Sequence, residues 1–351
     1  MNIVVLAGGL STERDVSITS GTMVAGALRK RGHKVVLLDV FMGYEQDECD
    51  IASLFEKGYD FTENLGVREN VPDLEKIKAS RRDKSDRFFG EHVEDICRYA
   101  DICFLALHGG DGENGKVQAA FDLLGIKYTG TGYLGSAVAM NKGITKSIFL
   151  NHDVCTPAGE CFVPEDMKSG RIAMWDHFPC VVKPCSGGSS VGVSIVEDRA
   201  DFLKAMEEAF RFETEVLVEQ YVKGREFSVG VIDGKALPII EIIPKCGFYD
   251  YVNKYQAGRT EEVCPAQLDE KTTALIQGEA EKAYKALQLE AYARIDFLLD
   301  KDGKTYALEA NTLPGMTSAS LIPQEAQAVG IGYEELCDKI IEVSLKKYNK
   351  D

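Results

Sequence analysis

The chain has 351 residues, 45% apolar and 27% charged, a globular composition with too much length for one core. Its 56 acidic against 40 basic residues give a net charge of −16, which excludes bulk nucleic-acid or anionic-membrane binding but leaves room for one small anion in a basic cleft. No apolar run approaches the roughly 18 residues of a membrane span, and MNIVVLAGGL has no basic region ahead of its apolar stretch, so it reads as a strand and not a signal peptide.

Residues 2–9 predict a buried strand ending in glycines, 15–31 a helix, and HKVVLLDV at 33–40 a second strand, together a βαβ unit with a parallel sheet. From 41 to 95 the chain is polar and charged without a strand signal and reads as an insertion. ADICFLALHG at 100–109 resumes the sheet, KVQAAFDLLG closes a helix on Gly125, and a short strand (IKYT) precedes one helix near 133–151. Strands at CFVP, FPCVVKP, SVGVSIVED and EVLVEQYV, with a helix at 200–212 between the last two, predict an antiparallel α+β region. A third region opens with a hairpin turned at Asp233-Gly234. It continues through a polar loop (GFYDYVNKYQAGRTEE), a helix at 269–288, a hairpin at 291–311 and a terminal helix. The expected domains are 1–130 with an insertion at about 41–95, then 131–222, then 223–351 with a lid loop at about 247–262.

The ten cysteines form no CxxC pair and several lie in apolar runs, the pattern of buried reduced thiols in a cytosol rather than of disulfides or a zinc site. Cys185, inside a Gly/Ser loop, reads as small-residue filler ahead of a reactive thiol. Two nucleotide-like motifs fail on context. GDGENGK at 110–116 has P-loop spacing but continues into Val117, without the hydroxyl that would hold magnesium, and reads as a turn that starts a helix. GTGYLG at 130–135 precedes a helix but lacks the following strand and acidic residue of a dinucleotide site.

Chemistry gathers at two places. In VVKPCSGGSSVGV (181–193) a strand delivers Lys183 to a loop almost without side chains. A lysine gives phosphate a point charge, and a bare loop can lay backbone N–H groups over phosphate oxygens. In AYARIDFLLDKDGKTYALEANT, a tight turn pairing Asp300 with Gly303 sets Arg294 opposite Glu309 and Asp296 opposite Ala307. Arg294, Asp296, Glu309 and Asn311 then project from one face. Two carboxylates and an amide oxygen beside an arginine make a hard-oxygen set that suits Mg²⁺ better than a merely solvated hairpin face.

In that order, VVKP with its Gly/Ser loop, VLVEQYVKGREFSV, ARIDFLL and LEANTLPGMT resemble an ATP-grasp enzyme. AGGLSTERDVS, ALHGGDGENG and FYDYVNKY narrow the resemblance to the D-alanine–D-alanine ligases, over nearly the whole chain apart from 41–95. The resemblance implies an α/β fold of ATP-grasp type, in which an N-terminal parallel α/β domain is followed by two α+β domains that clasp ATP. It also implies a bacterial cytoplasmic ligase supplying peptidoglycan precursor, with two D-alanines and ATP as substrates. Two Mg²⁺ ions would assist, with Mn²⁺ able to substitute. Neither nucleic acid nor membrane is an implied partner, and since family members are commonly dimers, a homodimer is.

By the same resemblance, Lys142 and Lys183 meet phosphates, Glu219, Gln220 and Val222 the adenine edge, and Glu226 the ribose. The family often has lysine where Gln220 stands, which leaves a contact through the backbone. Asp296, Glu309 and Asn311 resemble the ligands of the two metal ions. Glu13 binds the first substrate's ammonium, a role compatible with favouring its helix start by charge. Arg294 and the Gly315 N–H stabilise the tetrahedral oxyanion, while Ser320 and Leu321 receive the second substrate's carboxylate. Ser189 and Tyr255 link to Glu13, and Lys254, which also serves ATP, shares with Tyr255 a lid that excludes water. His108, by itself a satisfied histidine at the core's edge, neighbours the second substrate and helps to take its proton. Relatives that make D-alanyl–D-lactate usually lack the Lys254-Tyr255 pair, so its presence favours an amine acceptor. The alternatives are D-alanine–D-serine (or D-lactate) ligation, another ATP-grasp carboxylate–amine ligation, and a nucleotide-binding module without catalysis.

Overall fold

The computed structural model describes residues 1–64, 73–188, 191–245 and 259–349. Its first sheet is parallel, in the order β2-β1-β3, from β1 (Asn2–Ala7), β2 (Lys34–Asp39) and β3 (Ile102–Leu105). Apart from Asn2, Lys34 and Asp39 at their ends, these strands are apolar and buried because both faces are covered. On one face lies α1 (Arg14–Lys30); the 41–95 segment supplies α2 (Ile51–Lys57), α3 (Leu74–Ser80) and α4 (Val93–Tyr99), with α2 and α4 in the core of the other face. The first domain's chain then runs through α5 (Lys116–Leu124), which ends at Gly125 in the left-handed region (φ 67°). The expected strand IKYT is only a single bridge, Cys103 to Tyr128. Its next rung is lost because the Thr129 hydroxyl, not a backbone carbonyl, accepts from Leu105 N–H at 3.0 Å.

The helix expected near 133–151 is two, α6 (Tyr133–Met140) and α7 (Lys142–Asn151). Asn141 between them is extended and caps the second, its side chain accepting from Ile144 N–H at 3.0 Å. This break aims the first turn of α7, with Lys142, at the second sheet. That sheet is antiparallel, β4-β7-β5-β6, built from β4 (Gly159–Phe162), β5 (Cys180–Pro184), β6 (Ser194–Val196) and β7 (Val216–Gln220). The short α8 (Pro164–Ser169) and α9 (Arg199–Ala209) belong to the same region, and α9 buries Phe202, Met206 and Ala209 against the strands. The strand read into SVGVSIVED starts only at Ser194, because Gly192 takes a left-handed conformation (φ 74°).

The third sheet is antiparallel, β11-β10-β8-β12-β13 with β9 against β8. Its strands are β8 (Gly224–Ile232), β9 (Lys235–Ala236), β10 (Ile240–Pro244), β11 (Thr260–Val263), β12 (Tyr292–Asp300) and β13 (Thr305–Asn311). Asp233 and Gly234 both have positive φ (52° and 74°), the two-residue turn that the Asp-Gly pair predicts. The last residues of the expected lid, 260–262, pair with β10 as part of β11 and are not loop. α10 (Glu270–Ala286) covers one face. The expected terminal helix is again two, α11 (Leu321–Ala328) and α12 (Tyr333–Leu345), separated at Gly330 (φ 80°). Leu336, Ile340 and Ile341 of α12 share one core with Ile3, Val24 and Leu28, so the C-terminal end packs back onto the first sheet. No helix among the described residues is long and apolar enough to cross a membrane.

Candidate active site

The β12–β13 hairpin carries the predicted acidic cluster, in a different register from the one expected. Its turn is one residue wider, since Asp300 N–H bonds Lys304 O (3.0 Å), so Leu299 pairs with Thr305. A bulge then adds one more residue, because Phe297 pairs with Ala307 but Asp296 with Glu309, leaving Leu308 over. Arg294 consequently lies opposite Asn311 rather than Glu309, and Asp296 opposite Glu309 rather than Ala307. Two one-residue offsets preserve the facing of side chains, so the four residues still share a face. The bulge has its own anchor. Ala307 donates its N–H to Cys155 O (2.8 Å) and its carbonyl accepts from the Thr156 hydroxyl (2.8 Å).

Asp296 is the hub of this face. Arg294 grips it with a two-pronged fork, Nε to Oδ1 at 2.9 Å and Nη2 to Oδ2 at 2.8 Å. Ser228 Oγ on the neighbouring β8 donates at 2.7 Å and Asn311 Nδ2 at 3.1 Å. Four donors thus fill the roughly four lone-pair positions of one carboxylate. Asn311 spends an amide N–H on Asp296 and keeps its oxygen as an acceptor.

Glu309 connects the hairpin to the second sheet. Its carboxylate lies 3.3 Å from Lys142 Nζ, and the same ammonium donates to Gly187 O in the glycine-rich loop at 2.6 Å. Lys183, at the end of β5, meets Glu219 at 2.5 Å, and Lys146 meets the other oxygen of Glu219 at 2.6 Å. Burial works against the Glu219 charge, yet the two ammoniums together hold its carboxyl below the usual range. Burial likewise lowers Lys146, to about 8, against the opposing pull of Glu219. Lys146 also reaches the Thr156 hydroxyl (2.5 Å), the group that anchors the bulge. Lys146 was not among the expected residues. The signal was present in MNKGITK, where two lysines four apart occupy one helix face.

The buried Glu219 side chain faces these lysines, so a contact of this residue with an adenine edge would use its backbone. Gln220 is exposed with its N–H bonded to Ala158 O at 2.8 Å, while Val222 and Glu226 are half-buried at the strand ends that follow. Glu13 precedes α1 but does not cap it through its side chain. A Cβ built on Gly109 would fall 2.7 Å from Glu13 Oε2, and one on Gly188 3.7 Å, so the carboxylate lies between the end of the β3 segment and the glycine-rich loop. His108 is buried, with Nδ1 donating to Leu313 O (3.1 Å) and Nε2 paired with Ser20 Oγ (3.1 Å). Ser20 Oγ in turn accepts from Met316 N–H (3.4 Å), so this histidine fastens the LPGM segment to the first domain. Ser320 precedes α11, its Oγ accepting from Thr317 N–H at 3.1 Å, and a Cβ on Gly315 would lie 2.9 Å from that oxygen. Leu321 is buried as the first residue of α11. Ser189, Lys254 and Tyr255 lie outside the described residues. A cavity of about 910 Å³ lies elsewhere, lined by Tyr128, Tyr133, Tyr284 and Lys347 among others. Lys282, Lys285, Lys347, Glu281 and Glu290 are also in its wall, but none of the site residues described above lines it.

A glycine-rich loop and Lys183 on one antiparallel sheet, with Lys142 and Lys146 on the adjoining helix, facing an acidic hairpin on a second sheet, define an ATP-grasp ligase. A family model for the D-ala D-ala ligase N-terminus matches residues 2–131, and one for the D-ala D-ala ligase C-terminus matches 156–342. The chain is 43% identical to a D-alanine–D-alanine ligase of Pediococcus pentosaceus, over 100% of this chain and 99% of that one. It is also 43% identical to that of Lacticaseibacillus casei, over 99% and 97%. Among solved structures it is similar to the D-alanine–D-alanine ligase of Bacillus anthracis complexed with ATP (TM-score 0.72, 32% identity, 99% and 98% covered). It is also similar to the VanG D-Ala:D-Ser ligase of Enterococcus faecalis (TM-score 0.76, 27% identity, 98% and 99% covered). The chain belongs to the D-alanine–D-alanine ligase family.

Proposed function

We propose that this ligase joins two D-alanines into D-alanyl-D-alanine at the expense of ATP, in the cytoplasm, as a source of peptidoglycan precursor. The observation that carries the reading is the double reach of Lys142, to Gly187 in the bare loop and to Glu309 in the hairpin. A terminal phosphate between loop and hairpin would meet Lys142, Lys183 and the oxygen ligands together. The carboxylate of the first D-alanine attacks that phosphorus, giving an acyl phosphate and ADP. The amine of the second then attacks the acyl carbon, a proton leaves the nitrogen, and phosphate departs. Positioning and charge neutralisation dominate such a transfer.

The all-oxygen set of Asp296, Glu309 and Asn311 fits magnesium, or manganese in its place, once the Asn311 oxygen and one Asp296 lone pair turn to it. When bound there, such ions would supply charge neutralisation to the phosphate groups. Arg294, released from its fork on Asp296, and the Gly315 N–H face the developing oxyanion; Ser320 and Leu321 take the second carboxylate. Glu13, with Ser189 and Tyr255, holds the first ammonium, and His108 acts by holding the LPGM segment beside the acceptor. Glu219, Gln220 and Val222 border the adenine, Glu226 the ribose, and Lys254 closes over the phosphates. The domains of this reading are 1–130, 131–222 and 223–351, and the assembly is a homodimer.

Phosphate release from MgATP with D-alanine, L-alanine, D-serine and D-lactate tests it. D-Alanine alone should support full turnover. The likeness to a D-Ala:D-Ser ligase makes D-serine, supplied with D-alanine, the second arm. Release that ignores D-alanine would end the reading.

A further inference from the structure

Outside the cluster just described, three side chains converge that no part of the mechanism uses. Cys161 on β4, Cys185 at the foot of the glycine-rich loop and Glu215 just before β7 place their ligand atoms within 4.8 Å of one another. The two sulfurs are 3.7 Å apart. Their separation of 24 residues in sequence, without a CxxC pair, hides them from any motif reading.

We propose that Cys161, Cys185 and Glu215 form a binding site for a thiophilic d¹⁰ cation of the Zn²⁺ class, and that its occupancy weakens ATP binding through the phosphate loop. The distances favour a metal over a disulfide. Tetrahedral zinc with bonds of about 2.3 Å to sulfur separates two thiolates by about 3.8 Å, the spacing already present, whereas an S–S bond of about 2.0 Å requires the sulfurs to close by more than 1.5 Å. Neither backbone is loose enough to give that easily. Cys161 is paired with Leu217 across β4 and β7, while Cys185 has its N–H on Glu215 O (3.1 Å) and its carbonyl on Lys142 N–H (2.9 Å). A carboxylate oxygen in the same tetrahedron belongs about 3.6 Å from each sulfur, which a small rotation of Glu215 supplies. Glu215 is already oriented from behind, since Asn141 Nδ2 donates to it at 2.8 Å, as outer partners of metal-bound carboxylates do. The two sulfurs already share a contact, with either thiol able to donate. Gly143 lets the start of α7 lie directly on the pair, for a Cβ there would be 2.4 Å from Cys161 Sγ. Three protein ligands leave one position for water, as befits a reversible site.

The effect on ATP follows from connectivity and rests on the nucleotide reading above. Cys185 lies between Lys183 and Gly187, and Asn141, the outer partner of Glu215, caps the helix that carries Lys142 and Lys146. A metal bond to Cys185 and Glu215 therefore pulls on the root of the loop and on the cap of the lysine helix at once.

The test begins with cobalt(II), whose bonds to thiolate give a near-ultraviolet charge-transfer band that its bonds to carboxylate do not. Titration of the whole protein should produce this band with saturation at one equivalent, and zinc should displace it. Cys161→Ser and Cys185→Ser should each abolish the band, and Glu215→Gln, which keeps both thiols, should weaken cobalt affinity. With zinc held by a metal buffer in excess magnesium, the KM for ATP should rise about fivefold or more in the parent and not in Cys161→Ser. No band, or a band unchanged in all three variants, would overturn the site; so would loss of two thiols in air, with hydrogen peroxide as the reduced oxidant, in place of metal uptake. A band without any change in KM would overturn the coupling to ATP. Failure of the ligase reading itself would show separately, as absence of phosphate release in metal-buffered enzyme without zinc.

Discussion

Glu219 holds two ammoniums with one buried carboxylate, and the arrangement gives Lys146 a role that its neighbours cannot share. Burial brings its ammonium to about 8, so its charge is present below that pH and lost above it. Once Lys146 is neutral, Glu219 has only Lys183 left and, on the proposed reading, would draw it away from phosphate. The KM for ATP should therefore rise as pH passes through about 8, and Lys146→Met should flatten that rise, which a pH series of initial rates would read. Stability moves the other way. Between about 8 and the usual 10.5 the folded lysine binds fewer protons than the unfolded one, so its contribution to stability grows with pH across that window. Melts and kinetics over one pH series should diverge for this reason. Glu309 gives a simpler case, because its side chain is about a quarter exposed (27%). Glu309→Gln should cut turnover by orders of magnitude while thermal stability stays within about 1 kcal/mol. Normal turnover would remove it from the metal set.

At the scale of elements, the hairpin shows what was legible and what was not. Alternation along YARIDFLLD and TYALEAN is enough to put Arg294, Asp296, Glu309 and Asn311 on one face. Who faces whom depended on two local features that alternation does not contain: a three-residue turn closed by Gly303 in the left-handed region (φ 80°), and the bulge at Leu308. Each alone would have reversed the face; together they restored it. The bulge could not be read locally because its partner is far away in sequence, the Cys155–Thr156 segment. Thr156→Val removes that hydroxyl from both Ala307 and Lys146 and should cost about 1–3 kcal/mol, with a fall in turnover as Glu309 loses its register. Denaturant melts and phosphate release on the same variant would separate the two effects. Helix breaks were illegible for a related reason. Asn141 and Gly330 interrupt runs whose apolar spacing continues, so the break is decided by capping and not by pattern.

For the whole molecule, the first sheet and the last helix share a core. Ile340 is fully buried among residues that include Ile3, Val24 and Leu28. Ile340→Ala should destabilise by about 2–5 kcal/mol and shift the unfolding of the N-terminal region along with its own, as one denaturant transition. Two separate transitions would show the shared core to be incidental. The exposed pairs across this contact, Lys30 with Glu334 and Arg31 with Asp338, add little by comparison. Sequence gave the order of regions because each strand run carries its own period; it could not give this closure, which depends on contacts more than 300 residues apart. One further consequence lies in Lys142, which ties the glycine-rich loop to the acidic hairpin by its own charge. On the proposed reading, an incoming triphosphate would have to dislodge that ammonium from two oxygen partners before it could claim it. The heat measured on nucleotide association is then a difference between two similar ionic sets, and calorimetry should find it modest even where affinity is high.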